Sequence, residues 1–153
     1  MKLSKEVKAP IRKEYEEFKE SMYAGKSLEE RQELDQFFTP PEVSIKLIEE
    51  LSDLSGNVLD PTSGSGNLLA AALIAGADSQ RVFGNEYDAT MVKLCRERLN
   101  KVCDILGKPH IQDWQIHQGN ALIPDCLTEF SPEYDNTILK ELLKRRNGLK
   151  GGW

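Results

Sequence analysis

The chain has 153 residues, of which 29% are charged, and this size and composition indicate one globular domain of ordinary size. No apolar run reaches the roughly 20 residues needed to cross a bilayer, and the amino terminus lacks the apolar segment of a signal peptide, so we expect a cytoplasmic protein without a membrane partner. The net charge of −5 argues against a dedicated nucleic-acid-binding domain, and three cysteines without metal-ligand spacing argue against a disulfide framework or a zinc site.

Residues 1–35 are predicted to form a helical arm. Apolar residues recur in it every three or four positions, as on one face of a helix. They are Val7, Ile11, Tyr15, Phe18 and Met22. Gly25 interrupts this pattern, and Ser27 with Glu30 resembles a capping box that begins a second short helix over residues 28–34. We expect the arm to pack as a lid or against a partner.

Residues 36–130 are predicted to form an α/β core, which opens with a helix. Thr39 is expected to cap this helix, and Pro40 and Pro41 suit its first turn. An apolar stripe on the helix is expected to face the core. It consists of Val43, Leu47, Ile48 and Leu51.

Strands and helices then alternate along the core. Strands are predicted at residues 57–60 and 81–86, with a third around Trp114 and Ile116. Helices are predicted at residues 67–75 and 89–106. The second has an inner stripe of Met91, Leu94, Cys95, Leu99, Val102 and Leu106. This alternation is typical of a parallel sheet covered by helices, and right-handed crossovers give the strand order 3-2-1.

Residues 131–153 are predicted to form a last helix, over residues 136–146, and a basic tail. Five basic residues lie in this stretch: Lys140, Lys144, Arg145, Arg146 and Lys150. The simplest interpretation of this cluster is a solvated helix end with favourable charge placement.

The most informative segment is the loop between the first strand and the next helix, Asp60-Pro-Thr-Ser-Gly-Ser-Gly66. In open parallel sheets, ligands bind beyond the carboxyl ends of the strands. Gly64 and Gly66 allow a sharp turn and a close approach to a ligand, and the following helix offers free N–H groups. A carboxylate at Asp60 is placed to attract a cationic amino group. The glycines alone are equally consistent with a structural turn.

A second acidic residue, Glu86, ends the next strand. Its separation from Asp60 along the chain is one at which an acidic residue reaches the paired hydroxyls of a ribose and accepts hydrogen bonds from them. Together with the aromatic-Thr-Pro segment one helix upstream, Glu86 favours a ligand site over a purely structural turn.

The segments FFTPPEV, VLDPTSGSGNLL and GNEYD occur in this order. Over residues 36–122 the chain thereby resembles the amino-terminal half of DNA adenine-N6 methyltransferases, and most of all the modification-subunit type of restriction systems. The resemblance implies the Rossmann-like fold of class I methyltransferases that use S-adenosylmethionine (SAM). It also implies SAM as cofactor and adenine in DNA as substrate.

The resemblance further implies which residues bind the methionine end of SAM. Phe38, Thr39 and Pro40 are implied to line that end, with Thr39 bonding the methionine carboxylate. The loop residues implied to contact the amino-acid part are Asp60, Thr62, Gly64 and Gly66.

The adenosine end has its own set of implied contacts. Glu86 is implied to hold the ribose hydroxyls, and Tyr87 to stack near the adenine ring. Asn120 stands where the family usually has an Asp that meets the adenine amino group, and an Asn side chain is still able to bond the adenine edge.

The family's catalytic motif is Asp/Asn/Ser-Pro-Pro-aromatic, which holds the flipped target base. The nearest string here is Ser131-Pro132-Glu133-Tyr134, in which Glu133 replaces the second proline. Ser131, Pro132 and Tyr134 are therefore the candidate catalytic residues. The alternative interpretation is a turn that opens the last helix.

The sequence is consistent with three functions. The chain is an adenine methyltransferase or a part of one, a non-catalytic SAM-binding or regulatory protein, or another nucleotide-binding α/β domain. The Phe-Thr-Pro segment argues against the third. Without further strands the sheet is incomplete, and its first strand exposes an edge. The chain is therefore expected to be a truncated form, one part of a split enzyme whose partner subunit or second copy covers that edge, or a protein whose own terminal segments cover it.

Overall fold

Three short parallel strands form the centre of the structure, a computed structural model that describes residues 1–23, 27, 29–30 and 38–121. The strands are β1 (Val58–Asp60), β2 (Val82–Glu86) and β3 (Ile116–Gln118). They lie in the order β1-β2-β3, which confirms the predicted α/β class and the predicted 3-2-1 arrangement. Within the described ranges no helix is long and apolar enough to span a membrane.

The register of the strands brings their carboxyl ends to one edge of the sheet. Asp60 of β1 lies opposite Gly84 of β2, and Glu86 at the end of β2 lies opposite Gln118 of β3. Glu86 thus extends past the end of β1. Its side chain is therefore level with the loop that follows Asp60, where ligands bind in open parallel sheets.

Helices cover the sheet and the loop. They are α1 (Lys5–Tyr23), α2 (Pro41–Glu50), α3 (Asn67–Ile74) and α4 (Ala89–Leu106). Asp88 caps α4 by accepting from the N–H groups of Thr90 and Met91, and Gly107, at a φ of 65°, ends it. The predicted bounds of α3 and α4 are confirmed to within one residue.

Helix α3 is the centre of the core. It contacts α1, α2 and α4 as well as β1 and β2, so it is buried on almost every side. A run of small and aliphatic residues makes this possible, because alanines let neighbouring helices approach closely. The buried apolar residues of α3 are Leu69, Ala70, Ala71, Ala72 and Leu73.

Helix α1 packs against α2 and α3 through the predicted stripe. Ile11 is buried, while Val7, Tyr15 and Phe18 are half-buried. The side chain of Met22 and most of the predicted second helix lie outside the described residues.

The capping box predicted at Ser27 is present. The Ser27 hydroxyl accepts from the N–H of Glu30 at 3.1 Å, and the Glu30 carboxylate accepts from the N–H of Ser27 at 2.6 Å.

The prediction for α2 was wrong in two respects. Pro40, not Thr39, is the residue that precedes the helix, and no side chain caps it. The buried face carries Ser44, Ile45 and Ile48, because that face packs on α1 and α3. The other members of the predicted stripe are exposed, namely Val43, Leu47 and Leu51.

Leu47 and Leu51, together with Ile48, line a groove of about 550 Å³ beside β1. Among the described residues β1 has one neighbour, β2, and Leu59 of β1 is exposed. The groove is lined by α2, β1, α3 and the segment between α2 and β1, and no residue of α1 contributes to it. Of the predicted covers for this edge, α1 therefore does not lie there, and the last helix lies outside the described residues.

Two further predictions need correction. Trp114 belongs to a 3-10 turn, Asp113–Gln115, and not to β3, and its ring packs on Phe83 of β2 with centroids 5.9 Å apart. On α4, Leu94 is half-buried and Leu106 is exposed, while Arg98, which the apolar stripe omits, is buried. Cys95 and Cys103 of the same helix are fully buried, as expected for small core residues.

Candidate functional site

Two glycines with positive φ angles form the turn in the loop between β1 and α3. Gly64 has a φ of 52° and Gly66 a φ of 87°, both in the left-handed region that favours glycine. The Asp60 carboxylate accepts from the N–H of Thr62 at 3.0 Å, and the Ser63 carbonyl accepts from the N–H of Gly66 at 2.8 Å. The loop is therefore closed by its own backbone before any ligand is considered.

Glu86 joins this loop to the turn that follows β2. Its Oε2 accepts from the N–H of Gly64 at 2.9 Å, and its Oε1 accepts from the N–H of Asp88 at 2.9 Å. A carboxylate oxygen has more than one lone pair, so both oxygens keep capacity for a further donor. The acid predicted from the sequence thus shapes the loop and also faces the site.

Asn85 is a site residue that the sequence reasoning missed. It is 1% exposed, and its side-chain amide donates to the carbonyls of Pro61 at 3.3 Å and Gly119 at 3.0 Å. These bonds tie the loop after β1 to the loop after β3. A polar residue inside a strand that is buried on both faces was the available signal, because such strands are normally apolar.

The Oδ1 atom of Asn85 is buried and has no hydrogen-bond partner among the described residues. A buried acceptor without a partner is unfavourable, and it is usually satisfied by water or a ligand. Asn85 also borders the cavity described below.

Two glycines allow the loop, the sheet and the helices to approach one another. A Cβ on Gly66 would lie 2.8 Å from Sγ of Cys95 on α4. A Cβ on Gly84 of β2 would lie 3.0 Å from Ser63 of the loop and 3.0 Å from Leu69 of α3. Gly64 differs, because nothing lies within 4 Å of its Cβ position. The backbone of Gly64 is thus open to a ligand.

A cavity of about 500 Å³ lies at this edge of the sheet, a size within the usual range for small-molecule sites. Its walls come from the loops after all three strands. They comprise Pro61, Thr62, Asn85, Glu86, Tyr87, Gly119, Asn120 and Ala121. The Tyr87 side chain is 75% exposed, which leaves its ring able to stack on a ligand.

Burial and charge perturb Asp60. Removal from water raises the pKa of its carboxyl, the hydrogen bond from the Thr62 N–H lowers it, and the nearby charge of Glu86 raises it further. The net effect is a pKa above the ordinary value of 3.8. A cationic group placed between these carboxylates would relieve the repulsion.

The structure brings together most of the residues predicted to bind the cofactor. Thr62, Glu86, Tyr87 and Asn120 line the cavity. Asp60, Gly64 and Gly66 form the adjoining loop, to which Glu86 bonds.

The remaining predicted site residues lie elsewhere or are not described. Phe38, Thr39 and Pro40 precede α2 and are not among the residues that line the cavity. Ser131, Pro132 and Tyr134 lie outside the described residues.

Comparison with known proteins identifies the family of the chain. The model of the family described as N-6 DNA Methylase matches residues 14–135, most of the chain. No curated protein matches the chain. The matched range contains the glycine loop, Glu86 and the whole sheet, and it extends through Tyr134. This chain therefore belongs to the N-6 DNA methylase family, the DNA adenine-N6 methyltransferases, and has their Rossmann-like α/β fold.

Proposed function

We propose that this chain binds SAM at the cavity beside Glu86 and serves as the cofactor-binding part of a DNA adenine-N6 methyltransferase. One observation carries the proposal. Asp60, the open backbone of Gly64, Glu86 and the unpartnered Oδ1 of Asn85 meet at the carboxyl ends of β1 and β2. Family membership makes SAM the ligand to test first.

The chemistry of these residues suits the amino-acid and ribose parts of SAM. Asp60 would attract the cationic amino group, and the loop backbone at Gly64 and Gly66 would lie against the methionine part. Glu86 would accept from the ribose hydroxyls with the capacity that its two backbone bonds leave. Asn85 would accept from a further donor of the ligand.

The remaining contacts follow the predicted assignments. Tyr87 would stack near the adenine ring, and Asn120 would bond its edge. Phe38, Thr39 and Pro40 would bind the methionine end, with the Thr39 hydroxyl donating to its carboxylate. These last three residues are not among those that line the cavity.

When bound, SAM supplies an electrophilic methyl group. The residues of this chain would hold that cofactor, orient it and exclude water from its charged end. Transfer to DNA also needs a group that holds the adenine amino group, and Ser131, Pro132 and Tyr134 are proposed for that role. The alternative, a SAM-binding protein without catalysis, differs in this last step alone.

Isothermal titration calorimetry with SAM and with S-adenosylhomocysteine tests the binding proposal. Glu86→Ala should weaken binding by about 1–3 kcal/mol, the range for hydrogen bonds to a charged group. Glu97→Ala is the matched control, because Glu97 is an exposed carboxylate on α4 away from the cavity. Absence of binding by the unaltered chain would overturn the proposal.

Glu86→Ala also releases the N–H groups of Gly64 and Asp88, so the ribose contact needs its own test. The 2′-deoxy analogue of S-adenosylhomocysteine provides it. If Glu86 binds the ribose, deletion of the hydroxyl should weaken binding to the unaltered chain and have little effect in Glu86→Ala. Equal losses in both proteins would show that Glu86 acts through the loop alone.

Methyl transfer is tested separately with radiolabelled SAM and unmethylated DNA that contains adenine. Radiolabel recovered from the DNA as N6-methyladenine would establish that the chain catalyses methyl transfer. If circular dichroism shows that the chain is folded, binding of SAM without methyl transfer would support the non-catalytic alternative.

A further inference from the structure

The most deeply buried charge among the described residues is the guanidinium of Arg98. Arg98 lies in the middle of α4 and is 1% exposed. A buried cation is strongly unfavourable unless it is paired and fully hydrogen-bonded. Its retention in the core therefore requires partners, and these partners come from two different parts of the chain.

The first partner is Glu14 of α1. Arg98 donates from Nε to Oε1 at 2.7 Å and from Nη2 to Oε2 at 2.6 Å, which is the two-point geometry that suits a guanidinium and a carboxylate. The ring of Phe18, one turn further along α1, lies 4.6 Å from the guanidinium carbon. Helix α1 therefore holds one side of Arg98.

The second set of partners belongs to the glycine loop. Nη1 of Arg98 donates to the carbonyl of Ser65 at 3.4 Å and to Oδ1 of Asn67. Ser65 lies between Gly64 and Gly66, and Asn67 is the first residue of α3. One buried side chain thus connects α1 to the loop that the proposed cofactor would contact.

Two other ion pairs of α1 join it to α2. Arg12 pairs with Glu42 in an exposed contact, and Lys8 pairs with Glu49 in a half-buried contact, with both carboxylates on α2. Exposed pairs contribute little to stability. The guanidinium of Arg98 is 1% exposed, so removal of Glu14 would leave an uncompensated buried charge against the loop.

We infer that Glu14 and Arg98 are positioning residues, through which docking of α1 fixes the glycine loop in the shape that binds the cofactor. The identity of the ligand in this inference rests on the proposed function, whereas the coupling between α1 and the loop does not. Because coupling between two binding events is reciprocal, a ligand that fixes the loop also stabilises the docking of α1.

Glu14→Gln is the central variant, because it keeps the shape of the side chain and removes its charge. Glu17→Gln is its matched control, since Glu17 lies on the same helix with an exposed side chain paired to Lys13. We expect Glu14→Gln to raise the Kd for S-adenosylhomocysteine by about tenfold, and Glu17→Gln to leave it unchanged.

Hydrogen exchange distinguishes positioning from general destabilisation. In Glu14→Gln without ligand, the amides of Gly64 and Gly66 should exchange faster while the amides of β2 keep their protection. In the unaltered chain, S-adenosylhomocysteine should slow exchange along α1, and this effect should shrink in Glu14→Gln.

An unchanged Kd in Glu14→Gln, or a uniform rise of exchange over the whole chain, would overturn the inference. If Glu14→Gln does not fold, Asn67→Ala replaces it, because that change removes one loop partner of Arg98 and leaves the Glu14 pair intact. Asn67→Ala should also raise the Kd and the exchange at Gly64. If the unaltered chain binds no ligand, the proposed function fails, and the loop exchange without ligand still decides the coupling.

Discussion

Gly66 and Cys95 are packed so closely that a Cβ on Gly66 would lie 2.8 Å from the Cys95 sulfur. Gly66 also has a φ of 87°, in the region where other residues are strained. Glycine at this position thus satisfies two requirements, a left-handed backbone conformation and close contact with α4. The two requirements can be separated by mutation.

Gly66→Ala should lower the free energy of unfolding by about 2–4 kcal/mol, the sum of the backbone strain and the steric overlap. Gly64→Ala, whose Cβ would meet no atom within 4 Å, should lose about 1–2 kcal/mol from backbone strain alone. Urea denaturation followed by circular dichroism measures both. In Gly66→Ala/Cys95→Ala the loss should be smaller than the sum of the single losses. Strictly additive losses would contradict the steric contact.

Gly84 of β2 provides a second test of close packing. A Cβ there would lie 3.0 Å from each of three side chains, those of Ile116, Leu69 and Ser63, so Gly84→Ala should cost about 1–3 kcal/mol of stability. The matched control is Gly56→Ala, since Gly56 has no atom within 4 Å of its Cβ position. That variant should stay within about 0.5 kcal/mol of the unaltered chain. Equal stability of the two variants would show that the sheet and loop are less tightly packed than the structure indicates.

The raised pKa of Asp60 predicts how affinity depends on pH. Above that pKa the carboxyl is ionised and attracts a cationic amino group, so SAM affinity should be full. As the pH falls through the raised pKa the carboxyl is protonated and affinity should decline. Asp60→Asn should bind SAM about tenfold or more weakly at neutral pH and lose this dependence. Calorimetry between neutral and mildly acidic pH measures this dependence of SAM affinity on pH. A parallel decline in Asp60→Asn would show that a group other than Asp60 is responsible.

The same shift predicts the opposite effect on stability. Since the pKa of Asp60 is higher in the folded chain than in the unfolded chain, the folded state binds its proton more tightly. The ionised group therefore disfavours folding above this pKa, and acidification through it relieves the penalty. Asp60→Asn keeps an acceptor for the Thr62 N–H, so its free energy of unfolding at neutral pH should equal or exceed that of the unaltered chain. A clear loss in urea denaturation would argue that the carboxylate is paired in the folded state.

The thiol of Cys95 is expected to be inert in the folded protein. Burial raises its pKa to about 12, so almost no reactive thiolate exists at pH values near 8. Iodoacetamide at that pH should leave the peptide containing Cys95 unlabelled in the native chain, as measured by mass spectrometry. The same treatment in urea serves as the positive control. Rapid native labelling would show that α4 separates readily from the glycine loop.

The exposed and buried faces of α2 show where sequence patterns were insufficient. Val43, Leu47 and Leu51 have helical spacing and were expected to face the core, yet all three are exposed, and Leu47 and Leu51 line a groove beside β1. Spacing identifies an apolar face but not the surface against which it packs. Here α1 and α3 take the opposite face, which carries Ile45 and Ile48.

The sequence by itself determined the order of elements, the parallel sheet and the glycine loop followed by an acid on the next strand. These features depend on local periodicity, turn residues and the handedness of crossovers, all of which are encoded by neighbouring residues. It also predicted that Asp60, Thr62, Gly64 and Glu86 would meet.

Only the tertiary structure decided how that loop is held. Glu86 bonds the backbone of Gly64, Asn85 bridges two loops, and Arg98 connects Glu14 to Ser65. Glu14 and Arg98 are 84 residues apart in the chain. No local pattern indicates that a charged residue on α4 will be buried, because its burial depends on whether a distant helix supplies the opposite charge.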